Sequence, residues 1–160
     1  MKRLYLVRHA KAERISTDRD DFSRKLIKKG KLQAELIGTK LKKLDIHPDL
    51  IITSAASRAL ETAQILATRL SYPFEDLVTH PGIYSSSYTD LLNVISEVPD
   101  TFKSVMIVGH NPTLFDLMHN VSLNAEEGFA KAAACAIELD IDSWKNISTV
   151  TGKLLFMEQP

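Results

Sequence analysis

Four short apolar runs, each passing at once into small or polar residues and then into an amphipathic stretch, constrain the fold of this chain more than any other feature. They are Leu4 to Val7, Leu50 to Thr53, Leu77 to Thr79 and Val105 to Val108. Each is too short for a helix and suits a buried strand, the third being the weakest. The stretches between them carry helical spacing. From about Lys28 to Leu44, the residues Leu32, Leu36, Ile37, Leu41 and Leu44 are expected on one stripe, and Pro48 bars continuation. After Ser54-Ala-Ala-Ser-Arg58 a second helix, capped by Ser57 or Ser54, presents Ala59, Leu60, Ala63, Leu66, Ala67 and Leu70 before Pro73 closes it. A third runs from about Thr89 to Val98 on Leu91, Leu92, Ile95 and Val98. A fourth takes Asn111 as N-cap and Pro112 in its first turn, and buries Leu114, Phe115, Met118 and Val121.

This alternation predicts an α/β fold, a three-layer sandwich whose mainly parallel central sheet has helices on both faces. Further on, Cys135, Ile137, Leu139 and Ile141 alternate with Ala134, Ala136, Glu138 and Asp140, which marks another strand. Trp144 and Ser148 to Phe156 are expected to supply an antiparallel edge strand. No repeat, low-complexity tract or linker divides residues 1–160, so one domain is expected.

The chain is long enough to bury a sizeable core, and 44% hydrophobic with 25% charged residues is a soluble, globular composition. Net charge is zero, which gives no general pull towards nucleic acid or an anionic membrane. Charge is nevertheless uneven: Arg24 to Lys43 holds eight basic residues against Glu35 alone. Such a run reads as the solvated face of a helix, or as a docking surface for an acidic partner centred on Lys40, Lys42 and Lys43. The lone Cys135 rules out an internal disulfide or a cysteine metal site and fits a reducing compartment. Only four apolar residues separate Lys2-Arg3 from Arg8, too few for a signal-peptide core, so a cytoplasmic location is expected.

Ligands bind at the carboxyl ends of strands in open α/β sheets. Three of the predicted strands end on chemistry-bearing residues there: Arg8-His9, Arg58 and His110. Arginine offers a planar fork of donors matched to phosphate oxygens, and helix starts near Ser57 and Asn111 add N–H groups and positive dipole ends. A phosphoryl group is the guest this set suits. Lys11 and Ser85 are candidate residues of the pocket rim, with Tyr84 and Tyr88 near the same mouth. His47, His80 and His119 read as surface residues, and Cys135 as core, since Ile141 stands where a cysteine-dependent phosphatase loop needs arginine. No nucleophile elbow, nucleotide-binding glycine loop or zinc-ligand spacing occurs.

The strings Leu-Val-Arg8-His9-Ala, Ser54-Ala-Ala-Ser-Arg58-Ala-Leu-Glu-Thr62-Ala and Ile-Val-Gly-His110-Asn-Pro, in this order, resemble the three motifs of the histidine phosphatase (phosphoglycerate-mutase-like) superfamily. The short length, with Arg-His-Ala-Lys-Ala-Glu and Val-Gly-His-Asn-Pro, is similar to its bacterial SixA branch of phosphohistidine phosphatases. The resemblance implies a metal-independent phosphatase without a cofactor. Arg8, Arg58 and His110 would hold the phosphoryl group, and neutral His9 would attack phosphorus to give a covalent phosphohistidine. Arginine neighbours are expected to lower the His9 pKa.

Two departures from the family pattern bear on this. Ala10 replaces a glycine, a mild change if the backbone there keeps a negative φ. The loop after the third strand reads Pro81-Gly-Ile-Tyr84-Ser85, with no carboxylate where larger members place a general acid, and neither Asp90 nor Glu97 is an evident substitute. General acid catalysis contributes roughly two to four orders of magnitude. Its loss penalises an alkoxide leaving group more than an imidazole. The expected partner is therefore a phosphorylated protein bearing phosphohistidine. A small phosphoester substrate and a non-catalytic phosphate- or phosphoprotein-binding module are the alternatives.

Overall fold

The computed structural model describes all residues of the chain, 1–160. The predicted strands appear as β1 (Lys2–Arg8), β2 (Leu50–Thr53), β3 (Val78–Thr79) and β4 (Ser104–Gly109), side by side in the order β3-β2-β4-β1 and all parallel. Helices α1 (Lys28–Lys43), α2 (Ser57–Arg69), α3 (Tyr88–Ser96) and α4 (Thr113–Val121) separate or follow them. Successive strand residues point to opposite faces. Tyr5, Val7, Ile51, Met106 and Val108 accordingly pack on α1 and α2. Leu4, Leu6, Ile52, Val105 and Ile107 pack on α3, α4 and the 3-10 turn Trp144–Thr149. The three layers are those expected. No helix is long and apolar enough to cross a membrane.

The antiparallel strand is not an edge. Strand β6 (Ala134–Leu139) pairs antiparallel with β1, β7 (Gly152–Glu158) pairs antiparallel with β6, and the two-residue β5 (Ser122–Leu123) lies beyond β7. Strand β6 itself lies inside the sheet, between β1 and β7, which its alternation conceals. Ala134 and Ala136 are as buried as Cys135, Ile137 and Leu139, so this strand has two core faces. Burial pushes the Cys135 thiol up to about 12, as befits a packing residue.

The α1 stripe also differs. Leu32, Leu36 and Leu44 are 53%, 53% and 44% exposed, whereas Gly30, Ala34, Ile37, Gly38 and Leu41 face inward. Small residues at positions 30, 34 and 38 let the helix approach other backbone closely, and they carry little hydrophobic signal. A Cβ on Gly30 would stand 1.9 Å from the Lys11 carbonyl oxygen. Gly30→Ala is therefore expected to destabilise the fold by about 1–3 kcal/mol, read as a lower urea midpoint with unchanged m. An unchanged midpoint would mean that the Lys11 segment yields freely.

Two helix starts are built otherwise than expected. At α2 the N-cap position is Ala56, and the Ser57 N–H donates to the Phe22 carbonyl at 3.0 Å, while Ser54 Oγ accepts from Ala56 N within the preceding turn. At α4 the N-cap is Pro112, and Asn111 turns its amide away to the Phe129 carbonyl at 2.9 Å. In α3, Ser87 and Asp90 form a capping box, which occupies that carboxylate. Lys2 is buried: its Nζ donates to the Asp100 and Phe102 carbonyls at 2.7 and 3.0 Å and lies over the Trp144 ring. Within the basic run, Lys40 is paired with Glu158 at 3.3 Å.

Candidate active site

The sheet brings the predicted residues together. The last rung of the β1–β4 ladder pairs Arg8 with Gly109, and the His9 N–H donates to the Gly109 carbonyl at 2.9 Å. His9 and His110 thus leave adjacent parallel strands side by side, with ring centroids 5.2 Å apart. On the other side of β4, the Ser54 N–H donates to the Val108 carbonyl, which sets the start of α2 and Arg58 against the same edge.

The side chains of His9 and Arg8 are held from behind. The His9 Nδ1 lies 2.7 Å from the Ala10 carbonyl oxygen. A carbonyl can only accept, so Nδ1 carries the proton and Nε2 keeps its lone pair. The Ala10 N–H donates to Thr62 Oγ1 at 3.1 Å, and that hydroxyl donates to the Arg58 carbonyl at 2.7 Å, tying the His9 loop to α2. Ala10 is not among the residues with positive φ, so alanine stands there without strain. Arg8 donates from Nη1 to the Phe129 carbonyl at 3.0 Å. Buried polar atoms nearly always find partners. Here Arg8 Nε, Arg58 Nε and both ring nitrogens of His110 are buried without one from the protein. Donors gathered at one point in this way form a receptor for an anion with several oxygens.

The residue that sequence reasoning missed is Asp21. Its Oδ2 accepts from Arg58 Nη2 at 2.9 Å and from Tyr84 Oη at 2.8 Å, and its Oδ1 faces Arg24 Nη2 at 2.8 Å. Tyr84 in turn packs edge-on to His110, with centroids 5.6 Å apart, and Phe22 packs on Tyr84. The loop after β1 therefore arches over the pocket and is pinned there. Tyr84, rather than the exposed Ser85, reaches His110. Tyr88 packs against the core, and His80 accepts from the Gly82 N–H through Nδ1 at 2.9 Å as a local cap. Lys11 is half-buried and forms no ion pair. No group of three or more His, Cys, Asp or Glu side chains is arranged to hold a metal ion.

Known proteins share this fold. A family model for the histidine phosphatase superfamily (branch 1) matches residues 4–83, half of the chain. The chain belongs to that superfamily. The phosphatase is 28% identical to the solved structure of a putative phosphohistidine phosphatase SixA from Agrobacterium tumefaciens, covering 99% of this chain and 98% of that one with a TM-score of 0.84. A SixA protein histidine phosphatase complexed with tungstate shares its fold at 18% identity and a TM-score of 0.79, over 99% and 97% of the two chains. An uncharacterized protein of Picosynechococcus sp. is 30% identical over 123 residues, 69% of this chain and 67% of its own.

In the phosphatase both histidines are neutral at ordinary pH. Burial is the largest cause for His9, helped by the charges of His110, Arg58 and Arg8 and opposed by the Ala10 hydrogen bond, and it brings the pKa to about 3. Arginine neighbours were the expected cause; burial exceeds them. For His110, burial and Arg58 outweigh the opposing Asp21 and bring it to about 4. Burial alone would raise the Asp21 pKa, but the hydrogen bonds from Tyr84, Arg24 and Arg58 prevail and hold it at about 2. The consequences for stability have opposite ranges. Unfolded histidines regain the ordinary 6.5, so the unfolded chain binds more protons below that pH and stability falls as pH drops towards 4 and then 3. The Asp21 contribution is present above 3.8 and is lost as pH falls through 2. The urea midpoint should thus fall between pH 7 and pH 5, and fall less when His9 and His110 are both replaced by asparagine. Equal falls in both proteins would contradict the neutral pair.

Proposed function

We propose that this phosphatase hydrolyses phosphohistidine on a protein through a covalent intermediate at His9. Asp21 is the observation that carries the reading. It is the carboxylate hydrogen-bonded into the pocket, and at about 2 it is ionised and has no proton to give an alkoxide. Such a site suits a leaving group that departs without a strong acid, as imidazole does. The likeness to the putative phosphohistidine phosphatase of Agrobacterium tumefaciens supports the same choice, and tungstate, bound by the SixA relative, is a tetrahedral anion like phosphate.

The reaction runs in two displacements. Arg8 and Arg58 draw the phosphoryl oxygens between His9 and His110, their Nε–H groups supplying the donors that have no protein partner. The lone pair on His9 Nε2 attacks phosphorus in line. The bond from phosphorus to the substrate's imidazole nitrogen breaks, and that nitrogen takes a proton from water. A second water then attacks the same phosphorus and gives its proton to the hydroxide left by that transfer, the bond to Nε2 breaks, and orthophosphate leaves with His9 restored. His110, neutral and between Arg58 and Tyr84, donates to a phosphoryl oxygen as charge builds there.

Phosphate release from a phosphohistidine-bearing protein domain, set beside a panel of small phosphoesters, tests the substrate class. The expected result is release from the protein domain with kcat/KM at least about 10²-fold above any ester, the lower end of what a general acid contributes. Ester turnover as the dominant activity would overturn the reading and require a proton donor at the site. Tight phosphate binding with turnover of neither substrate would mark a binding module.

A further inference from the structure

The phosphoryl pocket is ringed by more positive charge than one phosphoryl group can use. Segment 129–133 forms the wall opposite α2. The Ala132 N–H donates to both the Arg8 and His9 carbonyls at 3.1 Å, the Arg8 N–H donates to the Ala133 carbonyl, and Arg8 Nη1 and Asn111 Nδ2 both end on the Phe129 carbonyl. Lys131 stands on this wall, exposed and in no ion pair. Partial desolvation of its ammonium against the wall first, and then the charges of Arg8, Arg24, Lys11 and Arg58, lower its pKa, so these five cations share one field.

Lys11 stands two residues beyond His9, and its charge acts on Lys131 across the pocket edge. Its backbone is clamped, with N–H donating to Gln33 Oε1 at 3.1 Å and carbonyl accepting from Ile27, while its side chain is unpaired. Arg24 is fixed by the Glu13 carbonyl at 2.7 Å and by Asp21. Asp21 is the carboxylate bonded within this ring. The histidines are neutral, so Arg8, Arg24, Arg58, Lys11 and Lys131 against Asp21 leave four positive charges, and a phosphoryl dianion takes two. Like charges held this close repel, and an anionic ligand relieves the repulsion.

We propose that Lys11 and Lys131, backed by Arg24, form a second anion-reading rim that selects phosphoproteins carrying carboxylates beside the phosphorylated residue. This rests on the protein-phosphohistidine reading. Lysine suits such a rim, because a compact charge on a flexible stem meets carboxylates in varied positions, whereas the fork of Arg8 and Arg58 suits the phosphoryl group itself. The rim would set substrate choice and encounter rate rather than the chemical step.

Two synthetic peptides test it, each bearing a hydrolysis-resistant phosphoryl-triazolylalanine in place of phosphohistidine, one flanked by glutamates and one by glutamines. Their dissociation constants are measured for the native protein, for Lys131→Ala and for the double variant Lys11→Glu/Lys131→Glu. The native protein should bind the glutamate peptide about fivefold or more tightly than the glutamine peptide. Lys131→Ala should shrink that ratio, and the double variant should bring it to one or below. The native preference should also narrow as ionic strength rises. Equal native affinities, a preference that survives in the double variant, or binding of neither peptide would each overturn the proposal. Because binding needs no turnover, a protein that prefers the acidic peptide yet releases no phosphate from phosphohistidine would defeat the functional reading alone.

Discussion

His9→Ala should lower phosphate release from a phosphohistidine substrate by on the order of 10⁴-fold or more, with little change in the fold. The side chain leaves the mouth of a packed strand end, where Ala10 and Thr62 still hold the backbone through the Ala10 N–H. What disappears is, of the two pocket histidines, the one whose lone pair is fixed by geometry: Nδ1 is committed to the Ala10 carbonyl and Nε2 is not. His110 cannot stand in, because its ring is placed by Tyr84 and by the start of α4 rather than by a bond that fixes one tautomer. Orthophosphate should still bind to this variant, since Arg8, Arg58 and His110 remain. If His9→Ala kept more than about a hundredth of the native rate, another nucleophile would have to be found.

Arg58→Ala is expected to cost about 10²–10³-fold in kcat/KM, the range that loss of one oxyanion donor covers. The reason lies in Asp21. In the native pocket Arg58 covers that carboxylate at 2.9 Å while presenting its buried Nε. Without Arg58, an ionised Asp21 would face the incoming dianion directly. Adding Asp21→Asn to Arg58→Ala should therefore recover several-fold of the lost activity, whereas Arg58→Lys should recover little, because an ammonium cannot fork to two partners. No recovery from Asp21→Asn would mean that the carboxylate serves the reaction instead of opposing it.

Much of the site was legible because its residues sit at positions of strong local meaning. Arg8 ends β1 and His9 follows it, His110 directly follows β4, and Arg58 lies in the first turn of the helix after β2. A parallel sheet puts such positions on one edge, so type and place together pointed to a phosphoryl group. Asp21 had no such marker. It is one of three aspartates in an aperiodic charged run, and what singles it out is a loop that doubles back, with Ala12 bridged to Leu26 and Phe22 bonded to Ser57. Tyr84 was visible as a candidate for the mouth but not as a partner of Asp21. Lys131 lies on the loop before β6, and only the pairing of Ala132 with Arg8 and His9 brings it to the pocket.

In the fold, the errors share a cause. Alanine and glycine mark close packing without raising hydrophobicity, so α1 was turned by leucines that face solvent, and the second core face of β6 passed for a polar one. Lys2 is the opposite case. Lysines are almost never fully buried unless paired, and here two carbonyls and the Trp144 ring satisfy the charge in the interior.

The central claim is the covalent intermediate. Mixing the protein with a ³²P-phosphohistidine protein domain, quenching in alkali within the first turnover and mapping the label by peptide mass spectrometry addresses it directly. The expected result is a phosphoryl group on His9, stable to alkali and lost in acid, and absent from His9→Ala. Phosphate release at full rate with no label on His9 at any quench time would mean direct attack by water, and would contradict the account.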